Sequence, residues 1–226
     1  RVVNARGRLV ASKDDNNKGL FYRYDGFGQV IGSTDPQSNQ VSMQYDIRGN
    51  KTQITEGNSG TTRYTYNALG EMLTQRDAKQ QQVSSTYDQL GRVQRLTAPE
   101  GSTYYYYDSA TYGVGQLDYV RGPNGNQESY HYDSFGRLTE VMREIDSEIF
   151  PSSRTYNRAG IVDSYTYPTG YAVRYNYNGN GYQSEVTNSD KTLRYWQAKQ
   201  VNARGQLEQV ILGNGVTTTK SYDANT

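Results

Sequence analysis

Few residues in this chain are able to do chemistry, and their spacing says most of what they do. There is one histidine, one tryptophan and no cysteine, which excludes thiolate ligands, disulfides and a cysteine nucleophile. His131 sits between Tyr130 and Tyr132. With no second histidine or cysteine to complete a ligand set, it reads as a strand residue and not as a metal ligand. Asp25, Asp46, Asp88 and Asp133 invite comparison with the paired carboxylates of glycoside hydrolysis. A catalytic pair is a unique constellation, however, whereas these acids recur at one place in a repeating pattern, as a turn cap does. The same acids form no dense local group of the kind a calcium loop needs. Trp196, in Arg194-Tyr195-Trp196-Gln197, offers a flat face for stacking on a sugar ring, or for packing on a sheet. The expectation is a chain without catalytic residues, metal or cofactor.

The pattern that holds these residues is clearest in Tyr130-His131-Tyr132-Asp133-Ser134-Phe135-Gly136-Arg137-Leu138. Two tyrosines two apart share one face of a strand, and His131 takes the other. Asp133 folds its carboxylate onto the following amides. Gly136 takes the positive φ that closes a hairpin, and Leu138 starts the return strand. Marked by its Asp or Asn, the unit recurs at Asn4, Asp25, Asp46, Asn67, Asp88, Asp108, Asp133, Asn157, Asn178, Asn202 and Asp223, with most intervals equal to 21 residues. The full triplet of tyrosine, turn residue and glycine stands at Tyr24, Asp25 and Gly28; at Tyr45, Asp46 and Gly49; at Tyr66, Asn67 and Gly70; at Tyr87, Asp88 and Gly91; at Tyr132, Asp133 and Gly136; and at Tyr156, Asn157 and Gly160. Val3-Asn4-Ala5-Arg6-Gly7-Arg8-Leu9 and Val201-Asn202-Ala203-Arg204-Gly205-Gln206-Leu207 are near duplicates.

A second turn signal falls between successive copies, as at Asp35-Pro36, Pro99-Glu100-Gly101, Pro168-Thr169-Gly170 and Gly213-Asn214-Gly215. Each unit therefore holds two strands and two turns, and the density of Gly, Thr and Tyr excludes helix nearly throughout. The whole of residues 1–226 reads as a single array of about 20 antiparallel strands, an all-β chain of tandem hairpins whose sheet must curve or spiral because neighbouring strands twist. After each glycine the apolar residues stand at the second and fifth positions, as in Leu138 and Val141. Strict alternation would put them at the second and fourth, so a β-bulge is expected there.

Composition agrees with a half-wet sheet. Val, Leu, Ile and Phe make only 38 of 226 residues, but there are 23 tyrosines, each able to bury a ring and keep a polar end. Formal net charge is +1, from 24 Lys and Arg against 23 Asp and Glu. Such a balance supplies no field for a nucleic-acid partner. No stretch is long and apolar enough for a membrane span, and none resembles a signal peptide.

The Tyr-x-Tyr-Asp-x-x-Gly-x-Leu pattern at a period near 21, with Gly213-Asn214-Gly215-Val216-Thr217-Thr218-Thr219 leading into Ser221-Tyr222-Asp223, resembles the YD repeat of bacterial Rhs proteins. Similar repeats occur in wall-associated toxins, in the B and C components of insecticidal toxin complexes and in teneurins. The resemblance implies a strip of hairpins spiralling into a hollow shell, secreted or held at a cell surface. Its partners would be the rest of that shell and an enclosed C-terminal effector. The alternative that the family suggests is an adhesion or carbohydrate-binding module, which would meet glycans or a cell surface through exposed Tyr and Trp196. Many Rhs proteins also carry a DPxG-type self-cleaving core. Asp35-Pro36 is followed by Gln37-Ser38-Asn39 and lacks that context, so no protease residues are carried over.

Two segments depart from the period. Residues 109–114 lengthen one connection, and the acidic stretch 143–151 lengthens another; both read as loops inserted into the repeat, tolerated or used for contacts. The array starts inside one copy and stops just after Tyr222-Asp223, which reads as a fragment of a longer repeat protein. On that reading the outermost strands lack their native partners, and open edges seek other chains. The chain is therefore expected to pair end to end or edge to edge at high concentration, or else to fray at its terminal residues. Light scattering that shows a monomer at every concentration, in a chain whose terminal strands pair with each other, would contradict this expectation.

Overall fold

The computed structural model describes residues 1–16 and 18–223. Among them are 21 β-strands and no helix, so the chain is all-β. Contacts divide it into two compact units, Arg1–Tyr105 with Gly122–Asn124, and Tyr106–Arg121 with Gly125–Thr226. The first holds β1 (Val2–Val3) through β10 (Val93–Ala98) and most of β11 (Gly101–Tyr107). The second holds β12 (Leu117–Arg121) through β21 (Thr217–Thr219). Within each unit every strand pairs antiparallel with the next in sequence, as β3 (Gly19–Tyr24) does with β4 (Val30–Thr34) and β13 (Gln127–Tyr132) with β14 (Leu138–Ile145).

The turn that begins at each Asp or Asn has one construction. The N–H of Asp133 donates to the carbonyl of Arg137 at 2.9 Å, and Gly136 donates back to the carbonyl of Asp133 at 2.9 Å. This is a three-residue hairpin loop with glycine in the left-handed position, φ +71° at Gly136, the geometry that a type I turn with a G1 bulge requires. The side chain adds two further acceptor contacts: Asp133 Oδ1 takes the N–H of Phe135 at 2.9 Å and of Arg137 at 3.0 Å. Asp46, Asn67, Asp88 and Asn157 repeat that pair of contacts. Asp25 reaches Gly28 and Gln29 instead. Asn serves as well as Asp because one carbonyl-type oxygen is all the turn uses.

The expected bulge lies just beyond the turn. Tyr132 pairs with Leu138 and His131 with Glu140, leaving Thr139 unpaired; Tyr24 pairs with Val30 and Arg23 with Gly32, leaving Ile31. The extra residue puts Leu138 and Val141 on the same face as Tyr130 and Tyr132. One face of each unit accordingly carries Tyr, Val and Leu, and the other carries Thr, Ser, Gln and Arg. On the polar face cross-strand hydroxyls pair, Thr55 with Thr61 at 2.9 Å and Thr65 with Thr74 at 2.6 Å. Burial is shallow. Ala11, Val141 and Val173 are the buried apolar residues among those described, and no large side chain there falls below 2% exposure.

The second turns vary more. Asp35–Asn39 and Asp77–Gln81 adopt the same three-residue loop with Ser38 (φ +66°) and Gln80 (φ +68°) in place of glycine. Residues 143–151 correct the sequence expectation of an inserted loop. They are strand: β14 pairs with β15 (Glu148–Tyr156) from Glu140↔Ser153 out to Ile145↔Glu148. The two-residue connection Asp146-Ser147 has φ +51° and +68°, the doubly left-handed turn that matches strand twist. The sequence hid this because neither residue is glycine. Residues 109–114 do form a longer connection, closed by Asp108 Oδ1 accepting from Gly115 N–H at 2.7 Å.

Substitution at the turn separates strain from lost bonding. A Cβ at Gly136 would meet nothing closer than the Tyr112 carbonyl oxygen at 3.7 Å, so Gly136→Val acts through backbone strain alone, about 2 kcal/mol for a residue forced to positive φ. Asp133→Ala removes contacts on an exposed turn. Thermal unfolding of the two variants is expected to show the larger loss for Gly136→Val; the reverse order would mean that the side-chain contacts, not φ, hold the turn.

Candidate functional site

The tyrosine before each turn does more than bury a ring. Tyr24 donates its hydroxyl to the carbonyl of Leu9 at 2.7 Å, Tyr45 to Val30 at 2.9 Å, Tyr66 to Lys51 at 2.9 Å and Tyr87 to Met72 at 2.8 Å. In the second unit Tyr132 reaches Leu117 at 2.6 Å, Tyr156 reaches Leu138 at 2.7 Å, Tyr177 reaches Val162 at 2.8 Å and Tyr222 reaches Leu207 at 3.0 Å. Every acceptor is the second residue after the glycine of the preceding copy. It also lies just past the end of a ladder: β4 and β5 (Gln40–Tyr45) pair no further than Gly32↔Ser42, and β6 (Lys51–Glu56) and β7 (Gly60–Tyr66) no further than Gln53↔Arg63. The strands part there, and the hydroxyl supplies the donor that the next strand no longer provides.

Other contacts tie neighbouring turns. Arg6 donates to the carbonyl of Gly26 at 3.1 Å, Gln29 to Gly49 at 3.3 Å and Arg48 to Ala68 at 2.5 Å. Arg137 donates to Asp133 Oδ2 through Nε at 2.8 Å while its guanidinium carbon lies 4.3 Å from the centroid of the Tyr156 ring in the next copy, a cation–π contact. The carboxyls of Asp46, Asp88 and Asp133 are held below the usual carboxylate range. For Asp46 the main cause is the side-chain bond from Asn50, for Asp88 the backbone N–H of Arg92, and for Asp133 the side chain of Arg137. A carboxylate held ionised by turn donors is a poor general acid at neutral pH.

The remaining chemistry-bearing residues are scattered. His131 stands across the ladder from Glu140, with Nδ1 3.7 Å from Oε2. Trp196, on β19 (Arg194–Val201), lies half-buried opposite Val186 and Leu212. Sequence reasoning did not single out the aromatic group beside it. Tyr167, Tyr171, Tyr175 and Tyr195 surround a shallow depression of about 520 Å³ floored by Val173 and Val186. Tyr195 enters it because the ladder shifts between Val186↔Trp196 and Thr187↔Arg194 and leaves Tyr195 as the extra residue. Tyr167 and Tyr171 are hard to spot in sequence because they occupy the first and last places of a second turn, where polar residues usually stand.

The RHS Repeat family profile matches residues 24–61 and 66–103. Residues 24–103 carry RHS repeats. The matched stretches hold β4 to β6, the strands from Met72 to Ala98 and the start of β11, and the copies at Asp133, Asn157 and Asn178 share their turn and their tyrosine bond. Solved structures share the fold of the chain. A TcdB2–TccC3–TEV crystal structure superposes on 98% of it with a TM-score of 0.76 at 18% identity, and TcdB2–TccC3 on 96% with 0.74 at 18%. A Tc holotoxin pore of Photorhabdus luminescens carrying a TccC3 mutation superposes on 91% with 0.71 at 19%. The chain spans only 12–13% of the length of those three structures. A search of curated protein sequences finds no match.

The hydroxyl bond has a pH signature. Burial pushes the Tyr66 hydroxyl above its ordinary value near 10, with the neighbouring Tyr64 and Asp46 adding to it. A group raised in the folded state contributes stability that is full below the unfolded value near 10 and is lost as pH rises through the folded value. Tyr66→Phe is expected to lower stability by about 1 kcal/mol at neutral pH, read as a lower urea midpoint with unchanged slope. The gap between the two proteins should close as pH rises beyond 10, because tyrosinate cannot donate. A gap that is constant from pH 7 to strongly alkaline conditions would show that ring packing, not the hydroxyl, carries the difference.

Proposed function

We propose that the chain is a non-enzymatic structural segment, a single run of repeats in the wall of an RHS/YD-repeat β-shell, and that its parent encloses a toxin or other cargo behind that wall. The observation that carries this reading is where the recurring chemistry goes. The oxygens of Asp25, Asp46, Asp88 and Asp133 are spent on turn amides. The tyrosine hydroxyls are spent on carbonyls of the preceding copy. Each repeat uses its functional groups to hold its neighbour, which is what a wall requires and what a catalytic centre does not. The fold shared with TcdB2–TccC3 structures supports the same reading. Its partners are then the remainder of the shell and the enclosed effector, and its place is outside the producing cell, secreted or at a surface.

Two measurements test the two halves of the proposal. Against a panel of chromogenic glycosides the 226-residue chain is expected to give no turnover; turnover abolished by Asp133→Asn would make the recurring acid catalytic. In the parent protein, limited proteolysis is expected to spare the effector while the wall is intact and to digest it when Gly136→Val and Tyr66→Phe are combined. Equal digestion in both proteins would remove enclosure from the proposal and leave only the scaffold.

A further inference from the structure

In the depression framed by Tyr167, Tyr171, Tyr175 and Tyr195, four aromatic rings gather without serving a repeat bond. Tyr167 and Tyr171 lie at the ends of a second turn, between β16 (Val162–Thr166) and β17 (Ala172–Tyr177). Their backbones close it: Tyr167 N–H donates to the Tyr171 carbonyl at 2.8 Å and Gly170 N–H to the Tyr167 carbonyl at 2.9 Å. Neither side chain is needed for the turn. Both rings stay exposed, 43% at Tyr167 and 47% at Tyr171. The Tyr167 and Tyr171 centroids are 6.4 Å apart with planes inclined 32°, and those of Tyr171 and Tyr195 are 6.3 Å apart at 61°. The rings are therefore set as separate walls, not stacked against each other. Tyr171 donates its hydroxyl to that of Tyr195, which ties the two rings to one another and spends the Tyr171 donor.

The lining selects among ligands. The volume, about 520 Å³, lies in the range of small-molecule sites. A sugar ring stacks on tyrosine, yet its hydroxyls need donors and acceptors. Here the floor is Val173 and Val186, and two of the four hydroxyls are already paired with each other. A primary ammonium fails for the same reason, because its three N–H groups would lose their hydrogen bonds to water against valine methyls. A quaternary ammonium has no N–H to satisfy. Its methyl groups suit an apolar floor, and its charge is attracted by the negative faces of several tyrosine rings. None of the six lining residues carries a charge, so attraction comes from the rings alone.

The geometry points to a binding site for a trimethylammonium group, of the kind carried by choline and by phosphatidylcholine headgroups, in the depression walled by Tyr167, Tyr171 and Tyr195. This goes beyond the wall function and does not depend on it.

The test is calorimetric titration of the 226-residue chain with choline chloride, beside dimethylbutanol, the neutral isostere in which carbon replaces the nitrogen. Choline is expected to bind in the millimolar range and about tenfold more tightly than the isostere, the factor that cation–π attraction supplies. Tyr171→Leu should abolish that preference with little change in unfolding temperature, and Tyr112→Leu, an exposed tyrosine outside the depression, should leave it intact. Sedimentation with phosphatidylcholine vesicles distinguishes the sources: capture that is lost in Tyr171→Leu assigns the headgroup, and choline binding without capture assigns a free ligand. Equal affinity for choline and its isostere, choline binding that survives Tyr171→Leu, or no choline binding at tens of millimolar would each overturn the assignment.

Discussion

The bond from a tyrosine hydroxyl to a backbone carbonyl in the preceding copy is the interaction on which the repeat depends. An isolated hairpin is marginal in water, and in this chain successive hairpins must be joined although their strands separate near every Asp or Asn turn. At the point of separation a carbonyl is left without a strand partner, and the tyrosine meets it. The same bond sets the period. From Tyr24 to its own copy's acceptor, Val30, is six residues, and from Val30 to Tyr45 is fifteen, which together make the interval of 21. After Tyr132 the interval lengthens with the six-residue part preserved: Leu138 follows Tyr132 by six, but Tyr156 follows Leu138 by eighteen. The extra residues are those of the extended β14–β15 hairpin. Insertions are admitted on both sides of the acceptor: beyond it in this hairpin, and before it at residues 109–114, where Leu117 follows Tyr107 by ten but Tyr132 still follows Leu117 by fifteen.

That division explains what was legible in the sequence. The turn was readable at Tyr132-Asp133-Ser134-Phe135-Gly136 because its chemistry is local: a carboxylate folding onto amides two and four residues on, and a glycine at positive φ. The bulge at Thr139 was readable because it disturbs alternation within a few residues. The hydroxyl bond was not, since composition shows that tyrosine is abundant but not which carbonyl it meets fifteen residues away. For the same reason the stretch 143–151 was mistaken for a loop. Its turn is made by Asp146 and Ser147 at positive φ, and only pairing with the rest of the hairpin makes that conformation worthwhile. The tyrosines around Val173 were invisible as a group because β16 to β19 supply them from separated positions, one of them through a register shift at Tyr195.

Tyrosine is also the residue that a single layer of strands can use. A compact protein of this mass exposes about 10,400 Å², whereas this chain exposes 15311 Å². Little of the apolar face is sealed from water, so a phenylalanine layer would leave its edges wet and gain nothing in return. Tyrosine packs its ring on the neighbouring strand and ends in a hydroxyl that either water or a carbonyl satisfies. Stability is then distributed, each copy resting on the one before it, as in other repeat arrays. A defect in one turn weakens two adjacent copies and spares the rest.

Such an array frees some positions from structural duty, and these are where binding can be added without loss. In the Asp and Asn turns the side chain is part of the closure. In the turn from Tyr167 to Tyr171 the backbone closes the loop by itself, so the two side chains at its ends answer to no constraint of the repeat. Both are tyrosine, both stand exposed, and both face a bulge that delivers a third ring. Phe27, Ile47, Leu69 and Leu90, also exposed at turns, show the other outcome: single apolar side chains at successive tips, where the hollow beside Ile47 is lined largely by polar and charged residues such as Asp46, Arg48, Thr52 and Asn67. What separates the two cases is the register shift at Tyr195. It adds a third ring to the two on the turn, above a floor of Val173 and Val186, and several rings around one floor are what give an aromatic surface a preferred guest.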